Sequence, residues 1–144
     1  MSRTYISADL RRLVEERAGQ CCEYCLLPAD VSFFPHEVDH IVAEKHGGLT
    51  EEHNLAFACW RCNRHKGTDL ASLDPMTGTI AMLFNPRIHP WAEHFIITGM
   101  VLEGRTPEGR TTARLLQFNT AERLAERQRL GDVGHYPPEF RPLD

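Results

Sequence analysis

Long apolar runs are absent from this sequence, and so is a surplus of positive charge. Because no stretch reaches about 18 consecutive apolar residues, we expect neither a membrane span nor a membrane partner. The opening residues, MSRTYISADLRRL, lack the apolar centre of a signal peptide, so we expect a cytoplasmic protein. The formal net charge of −4 argues against a strongly basic protein that coats nucleic acid through nonspecific electrostatic binding.

Lysine is also scarce, with two lysines among the 16 basic residues and arginine for the rest. Arginine binds phosphate through a planar fork, so this bias is compatible with a polyanionic partner. A GC-rich genome would produce the same bias, and the composition does not separate the two explanations. A length of 144 residues with 42% apolar content suits one domain with its own core, so we interpret 1–144 as a single domain.

The patterning predicts an α+β fold made of short elements. An N-terminal helix should run from Ser7 to Ala18, because Ser7 is a good N-cap and Gly19 a suitable stop. The other expected elements are a strand within 36–44, an extended segment at 55–58, a helix over 61–66, a strand at 79–84, a hairpin of 95–98 with 100–102, and helices that begin at Pro107 and after Asn119. The proline-rich tail, 135–144, is expected to be irregular.

Two sets of side chains receive structural interpretations. Phe57 and Trp60 are interpreted as core packing rather than as surfaces for base stacking. The arginines near the C-terminus are interspersed with acidic residues, which is typical of a solvated helical face. These arginines are Arg114, Arg123, Arg127 and Arg129.

Four of the five cysteines form two Cys-x-x-Cys pairs, Cys22 with Cys25 and Cys59 with Cys62. Zinc is bound by four thiolates at tetrahedral corners, and a reducing compartment disfavours disulfides, so the pairs indicate a structural zinc site. A redox function would need only one such pair, inside a βαβ unit that the pattern does not predict. Cys21 could compete with Cys22, but the spacing within the second pair favours Cys22.

Between and just after the two pairs lie residues suited to hydrolytic chemistry: Asp39, His40, Asn54 and Asn63. Carboxylate and carboxamide oxygens are ligands that Mg²⁺ and Mn²⁺ prefer. A neutral imidazole can act as the general base that activates water. The combination therefore indicates a hydrolytic site built around a divalent metal ion.

The order C-x-x-C, VDHI, HGG, NL and C-x-x-CN-x-x-KG, over 22–67, resembles the HNH endonucleases. The resemblance implies a ββα-metal core, in which a two-stranded hairpin and a helix surround one catalytic divalent ion. The four cysteines are similar to those of the zinc-stapled branch of that family. The remaining segment, 68–144, would be an extension that adds a β-hairpin and helices.

Within this resemblance, each motif residue has an implied role. His40 would be the general base, and Asp39 would be a ligand of the catalytic ion. Asn54 would position the hairpin and its histidine without taking part in the chemistry. Asn63 would be the second ligand of the ion, one residue after the last cysteine of the zinc site.

His65 is an alternative to Asn63 as the second ligand of the catalytic ion. Residues two apart on a helix point about 200° away from each other, so the two cannot face one metal. Lys66 follows Asn63 by three residues and shares its face, which favours Asn63. Lys66, Arg64 and Arg87 are the expected contacts to backbone phosphates.

Asp39 and His40 are neighbours, and neighbours in a regular strand point to opposite faces. Both must reach the reaction centre, so the strand must bend there or the metal must lie at its edge. On this reading the chain is a metal-dependent endonuclease that hydrolyses phosphodiester bonds, with DNA favoured as the substrate. The alternatives are a zinc module that binds nucleic acid or protein without catalysis, and a nuclease that needs a protein partner for activation.

Overall fold

The computed structural model describes residues 5–139, so the last five residues of the expected irregular tail lie outside the described range. Its helices are α1 (Ala8–Arg17), α2 (Trp60–Lys66), α3 (Trp91–His94), α4 (Pro107–Leu115) and α5 (Ala121–Asp132). Its strands are β1 (Glu37–His40), β2 (Leu55–Ala58), β3 (Ala71–Leu73), β4 (Ile80–Met82), β5 (Phe95–Thr98) and β6 (Val101–Gly104). The predicted α+β class is confirmed. Within 5–139, no helix has the length and apolar character of a membrane span.

The strands pair as three antiparallel hairpins, β1 with β2, β3 with β4 and β5 with β6. In the first hairpin Glu37 lies opposite Ala58 and His40 opposite Leu55. Helix α2 follows this hairpin directly, because Cys59 caps it by accepting a hydrogen bond from the backbone N–H of Cys62. The chain thus folds as the hairpin and helix that the sequence predicts.

Helix starts follow the capping residues that the sequence offers. The Ser7 hydroxyl accepts from the N–H of Leu10 at 3.1 Å, and α1 begins at the next residue. Thr106 caps α4 in the same way, with Pro107 at the first helical position. These caps satisfy backbone donors that have no partner within the helix.

The main core joins the cysteine-bearing half of the chain to the C-terminal half. It packs the four paired cysteines against Trp91, Phe95 and Phe118. Trp91 Nε1 also donates to the Tyr24 carbonyl at 2.8 Å, and the Tyr136 hydroxyl donates to the Cys25 carbonyl at 2.7 Å. The C-terminal segment therefore covers the cysteine cluster.

The predicted solvated arginine face is wrong for Arg123 and Arg127, which are each 3% exposed. They lie four residues apart on α5 and so share one face, which turns inward. Arg123 donates to the Leu116 carbonyl, and Arg127 donates to the Met100 carbonyl, both at 2.8 Å. Backbone acceptors outside α5, seven residues from Arg123 and 27 residues from Arg127, make this burial possible. Arg114 and Arg129 are exposed, as expected.

Candidate active site and zinc site

The Sγ atoms of Cys22, Cys25, Cys59 and Cys62 all lie within 4.8 Å of one another, and all four residues are buried. The Cys25 and Cys59 sulfurs are 3.7 Å apart and form no disulfide. Tetrahedral zinc with Zn–S bonds of about 2.3 Å would separate its sulfurs by roughly 3.8 Å. The cluster could therefore hold zinc. Cys21 lies outside it, and burial raises the pKa of its thiol to about 11.

A buried guanidinium from α5 faces this cluster. Arg123 Nη2 lies 3.2 Å from Cys62 Sγ and 3.9 Å from Cys59 Sγ. Burial alone would lower the pKa of Arg123, but the charges of Cys62, Cys25 and Cys59 raise it. Burial also raises the pKa of the Cys22 thiol, so four thiolates at this spacing need positive charge beside them. Arg123 supplies part of that charge. Sequence reasoning missed this contact because 61 residues separate it from Cys62.

Asp39 is a buried carboxylate beside a buried lysine. Burial raises the pKa of Asp39, and the charge of Lys66 opposes that shift. Asp39 Oδ2 lies 3.0 Å from Lys66 Nζ in an ion pair. Lys66 is 2% exposed and also donates to the His40 carbonyl at 3.0 Å. This placement corrects the expected phosphate contact, because Lys66 serves as an internal partner of β1.

His40 is half-buried at the end of β1, and its Nε2 lies 2.8 Å from the Thr50 hydroxyl. The strand ends at His40, so the alternation of faces ends there as well. His40 and Asp39 therefore both line one cavity of about 660 Å³, whose other walls include Lys45 and Thr68. That both side chains reach one reaction centre at this end of the strand stays a prediction.

Asn54 ties together the loop that follows β1. Its Oδ1 accepts from the Val42 N–H, and its Nδ2 donates to the Val42 and Leu49 carbonyls, each at 2.9 Å. Gly48 permits this close packing, since a Cβ there would lie 1.7 Å from the Val42 carbonyl oxygen. The Asn54 side chain is thus occupied with backbone groups and braces the loop that carries Thr50.

Asn63 reaches back from α2 to the first residue of β1. Its Nδ2 donates to Glu37 Oε2 at 2.6 Å, and this bond leaves Oδ1 as the free end of the amide. Glu37 and Asp39 lie two residues apart and share a face of β1, so Asn63 faces the side of the strand that carries Asp39. Asn63 does not line the cavity of His40. Sequence reasoning missed Glu37, although its alternation with Asp39 could have indicated it.

The oxygens that these residues offer fit a hard divalent ion. Asp39 offers a buried carboxylate beside Lys66, and Asn63 directs its amide nitrogen to Glu37, which leaves its Oδ1 for a ligand. A carboxylate and an amide oxygen are the ligand types that Mg²⁺ and Mn²⁺ prefer. The rival His65 is half-buried, and its pKa is lowered by burial and by the neighbouring arginines.

The two arginines expected on phosphate differ in placement. Arg87 is 12% exposed, forms an ion pair with Glu23 and donates to the Leu55 carbonyl at 3.1 Å. Glu23 is fully buried and also accepts from the Phe57 N–H at 2.8 Å. Arg87 therefore neutralises an internal carboxylate, which corrects the expected phosphate contact. Arg64 is exposed and makes no hydrogen bond or ion pair within 5–139, so it remains available.

Residues 22–69 match the family of HNH endonucleases. The chain carries an HNH endonuclease domain. The matched segment holds both cysteine pairs, the first hairpin and α2, and thus the whole site described above. An HNH domain implies a nuclease-type function.

One curated relative resembles the chain beyond the HNH domain. Septu protein PtuB of Bacillus thuringiensis is 28% identical over 111 residues, which is 76% of this chain. The chain spans about 40% of the length of that relative. No solved structure matches the chain at a significant level.

Proposed function

We propose that this chain is a metal-dependent endonuclease that hydrolyses phosphodiester bonds, with DNA as the favoured substrate. One observation carries the proposal: a buried carboxylate and an imidazole whose Nε2 lies 2.8 Å from a hydroxyl occur on neighbouring residues at the end of a strand. These groups belong to Asp39 and His40 and line the same cavity. The HNH domain that contains them supports a hydrolytic rather than a purely structural site.

Asp39 and Asn63 would hold Mg²⁺ or Mn²⁺, which supplies Lewis-acid stabilisation of the scissile phosphate when bound. If Thr50 accepts a hydrogen bond from His40 Nε2–H, then Nδ1 carries the lone pair. His40 would take a proton from the attacking water at that atom. Asn54 would keep the loop of Thr50 in place, which matches its positioning role in the motif.

The four cysteines would hold zinc as a structural ion. Cys59 and Cys62 lie at the start of α2, and Asn63 follows directly. Zinc bound there would fix the helix against the first hairpin and so fix the direction of the Asn63 side chain. Zinc would thus support the geometry of the site without touching the substrate.

A cleavage panel tests the proposal. Single-stranded DNA, duplex DNA and RNA are incubated with the chain and Mg²⁺ or Mn²⁺, and products are separated by gel. His40→Ala should lower the rate by about 10²- to 10⁴-fold, as expected for loss of a general base. His53→Ala is the matched control, because that histidine is exposed and pairs with Glu51 outside the site. Equal cleavage by His40→Ala and the parent would overturn the assignment.

Two other outcomes lead to different functions. Binding of nucleic acid or protein without cleavage under any metal would favour the non-catalytic zinc module. An isolated chain that holds zinc and is inactive, but cleaves once a protein partner is added, would favour a partner-activated nuclease.

A further inference from the structure

Three aromatic side chains form an exposed cluster at the start of α2. The Phe34 ring lies 4.8 Å from the rings of Phe33 and Trp60, with interplanar angles of 88° and 67°. Phe33 is 89% exposed and Phe34 46% exposed. Phe57 is buried as expected, but Trp60 is only half-buried, which corrects its interpretation as core. We call Phe33, Phe34 and Trp60 the aromatic platform.

The platform borders the proposed active site. Trp60 and Asn63 are three residues apart on α2 and are therefore neighbours on its surface. Phe34 precedes by three residues Glu37, the partner of the Asn63 amide. Arg64 follows Trp60 by four residues, and its exposed side chain makes no hydrogen bond or ion pair within 5–139.

We propose that the aromatic platform binds unpaired nucleobases beside the scissile phosphate, with Arg64 on the backbone. The inference rests on the proposed nuclease function and narrows its substrate to single-stranded or locally melted nucleic acid. Stacking needs free ring faces, and the edge-to-face arrangement leaves the Phe33 ring in solvent. Since the net charge of −4 gives little general attraction to polyanions, stacking would supply much of the affinity.

The aromatic and cationic character of the platform favours nucleobases over a protein partner. Another exposed apolar surface, on the β3–β4 hairpin, is aliphatic and presents Leu73, Ile80 and Met82. Base stacking uses flat rings, and the cation available beside them is Arg64, because Arg61, which lies 5.1 Å from the centre of the Trp60 ring, is paired with Glu122 and Glu126. A protein that docks on the platform would leave nucleic-acid affinity independent of its rings.

A fluorescence titration of the full zinc-loaded chain tests the proposal. The His40→Ala background prevents cleavage, and quenching of Trp60 reports stacking, while Trp91 is 1% exposed and gives a constant background. The probes are a single-stranded oligodeoxynucleotide, its duplex, and the same strand with abasic residues in place of bases. We expect quenching and the tightest binding with the single strand. An abasic strand that binds equally well would overturn the proposal.

Substitutions test whether single-strand binding depends on the aromatic rings of the platform. Phe33→Ala should weaken single-strand binding by about 5- to 100-fold and leave the abasic strand unchanged. Phe33 is so exposed that folding does not depend on it, and Met76→Ala, at a side chain that is 75% exposed, is the matched control. Arg64→Ala should weaken both strands alike, since it acts on phosphate. Unchanged single-strand affinity in Phe33→Ala would overturn the proposal.

Cleavage assays separate this inference from the function on which it rests. If the parent is active and its Phe33→Ala variant cleaves single strands at the same rate, the role of the aromatic platform is contradicted and the nuclease assignment stands. If the chain cleaves no substrate but binds single strands in a way that depends on Phe33, the nuclease assignment is contradicted and the base-binding role of the platform is supported.

Discussion

At the scale of residues, the partners of each polar side chain limit what it can do. Lys66 and Arg64 lie two residues apart on α2 and point in different directions. Lys66 is buried against Asp39, whereas Arg64 is exposed. The sequence proposes the same role for both, but only Arg64 can reach a phosphate without breaking an internal ion pair.

Thr50→Val should lower kcat by about 10- to 100-fold, the range expected for loss of a group that orients a functional side chain. Valine keeps the shape of threonine but lacks the hydroxyl that lies 2.8 Å from His40 Nε2. The measurement is steady-state cleavage, together with nitrogen chemical shifts that report which imidazole nitrogen carries the proton. Thr50→Ser should restore the rate and the tautomer. An unchanged tautomer in Thr50→Val would contradict the positioning role.

Arg87→Ala should destabilise the fold by about 3–5 kcal/mol, because it leaves the buried Glu23 carboxylate without its cation. Burial already raises the pKa of Glu23, and Arg87 opposes that shift. Chemical denaturation measures the change. Arg64→Ala is the matched control and should stay within about 0.5 kcal/mol of the parent. If Arg87→Ala is as stable as the parent but binds nucleic acid more weakly, Arg87 contacts phosphate and does not serve mainly as the partner of Glu23.

At the scale of elements, the parts of the proposed site are held in place by contacts with neighbouring elements. The loop after β1 is braced by Asn54, and the cysteine cluster is faced by Arg123 from α5. Two contacts fix the direction of helix α2. Cys59 of the cysteine cluster caps its first turn, and Lys66 in its last turn pairs with Asp39 of β1. Helix α5 of the C-terminal extension thus contacts the HNH domain at its cysteine cluster.

Arg123→Ala should weaken zinc affinity by about 10- to 100-fold, since thiolates lose the buried cation that faces Cys62. Competition with a chromophoric chelator measures the affinity directly and does not depend on cleavage. Arg129→Ala, on the exposed side of the same helix, should leave zinc binding unchanged. Equal zinc affinity in the parent and Arg123→Ala would show that α5 only covers the cluster.

At the scale of the whole molecule, one core includes the cysteine cluster and the C-terminal aromatic residues. A structural zinc ion contributes about 10 kcal/mol or more in small zinc domains. The entire stability of a domain is roughly 5–15 kcal/mol, so zinc held by the cysteine cluster would supply much of the stability of this fold. This coupling supports the proposal that 1–144 is a single domain.

Removal of zinc should abolish cooperative unfolding of the full chain. Four buried thiols without a metal cannot stay ionised, and the core that surrounds them loses its central contact. Circular dichroism during heating, before and after treatment with a strong zinc chelator, measures the effect, and added zinc should restore the transition. Removal of Mg²⁺ alone should leave it intact. A metal-free chain with the transition of the parent would contradict a structural role for zinc.

Several expectations stay predictions because they concern the molecule in its surroundings. These are the single domain, DNA as the substrate, the catalytic ion, the protein partner and the cytoplasmic location. The roles of Asp39, His40 and Asn63 in chemistry also stay predictions. Their geometry supports those roles, and the cleavage panel is the measurement that decides them.

The sequence by itself determined the two cysteine pairs, the hairpin followed by a helix, and the capped starts of α1 and α4. Each depends on spacings of a few residues, where local geometry leaves little choice. Only the tertiary structure decided which cations are buried and which are free. Arg87 meets Glu23 across 64 residues and Arg123 meets Cys62 across 61 residues. Such pairs form because packing brings distant charges into one low-dielectric core, and no local pattern in the chain encodes that meeting.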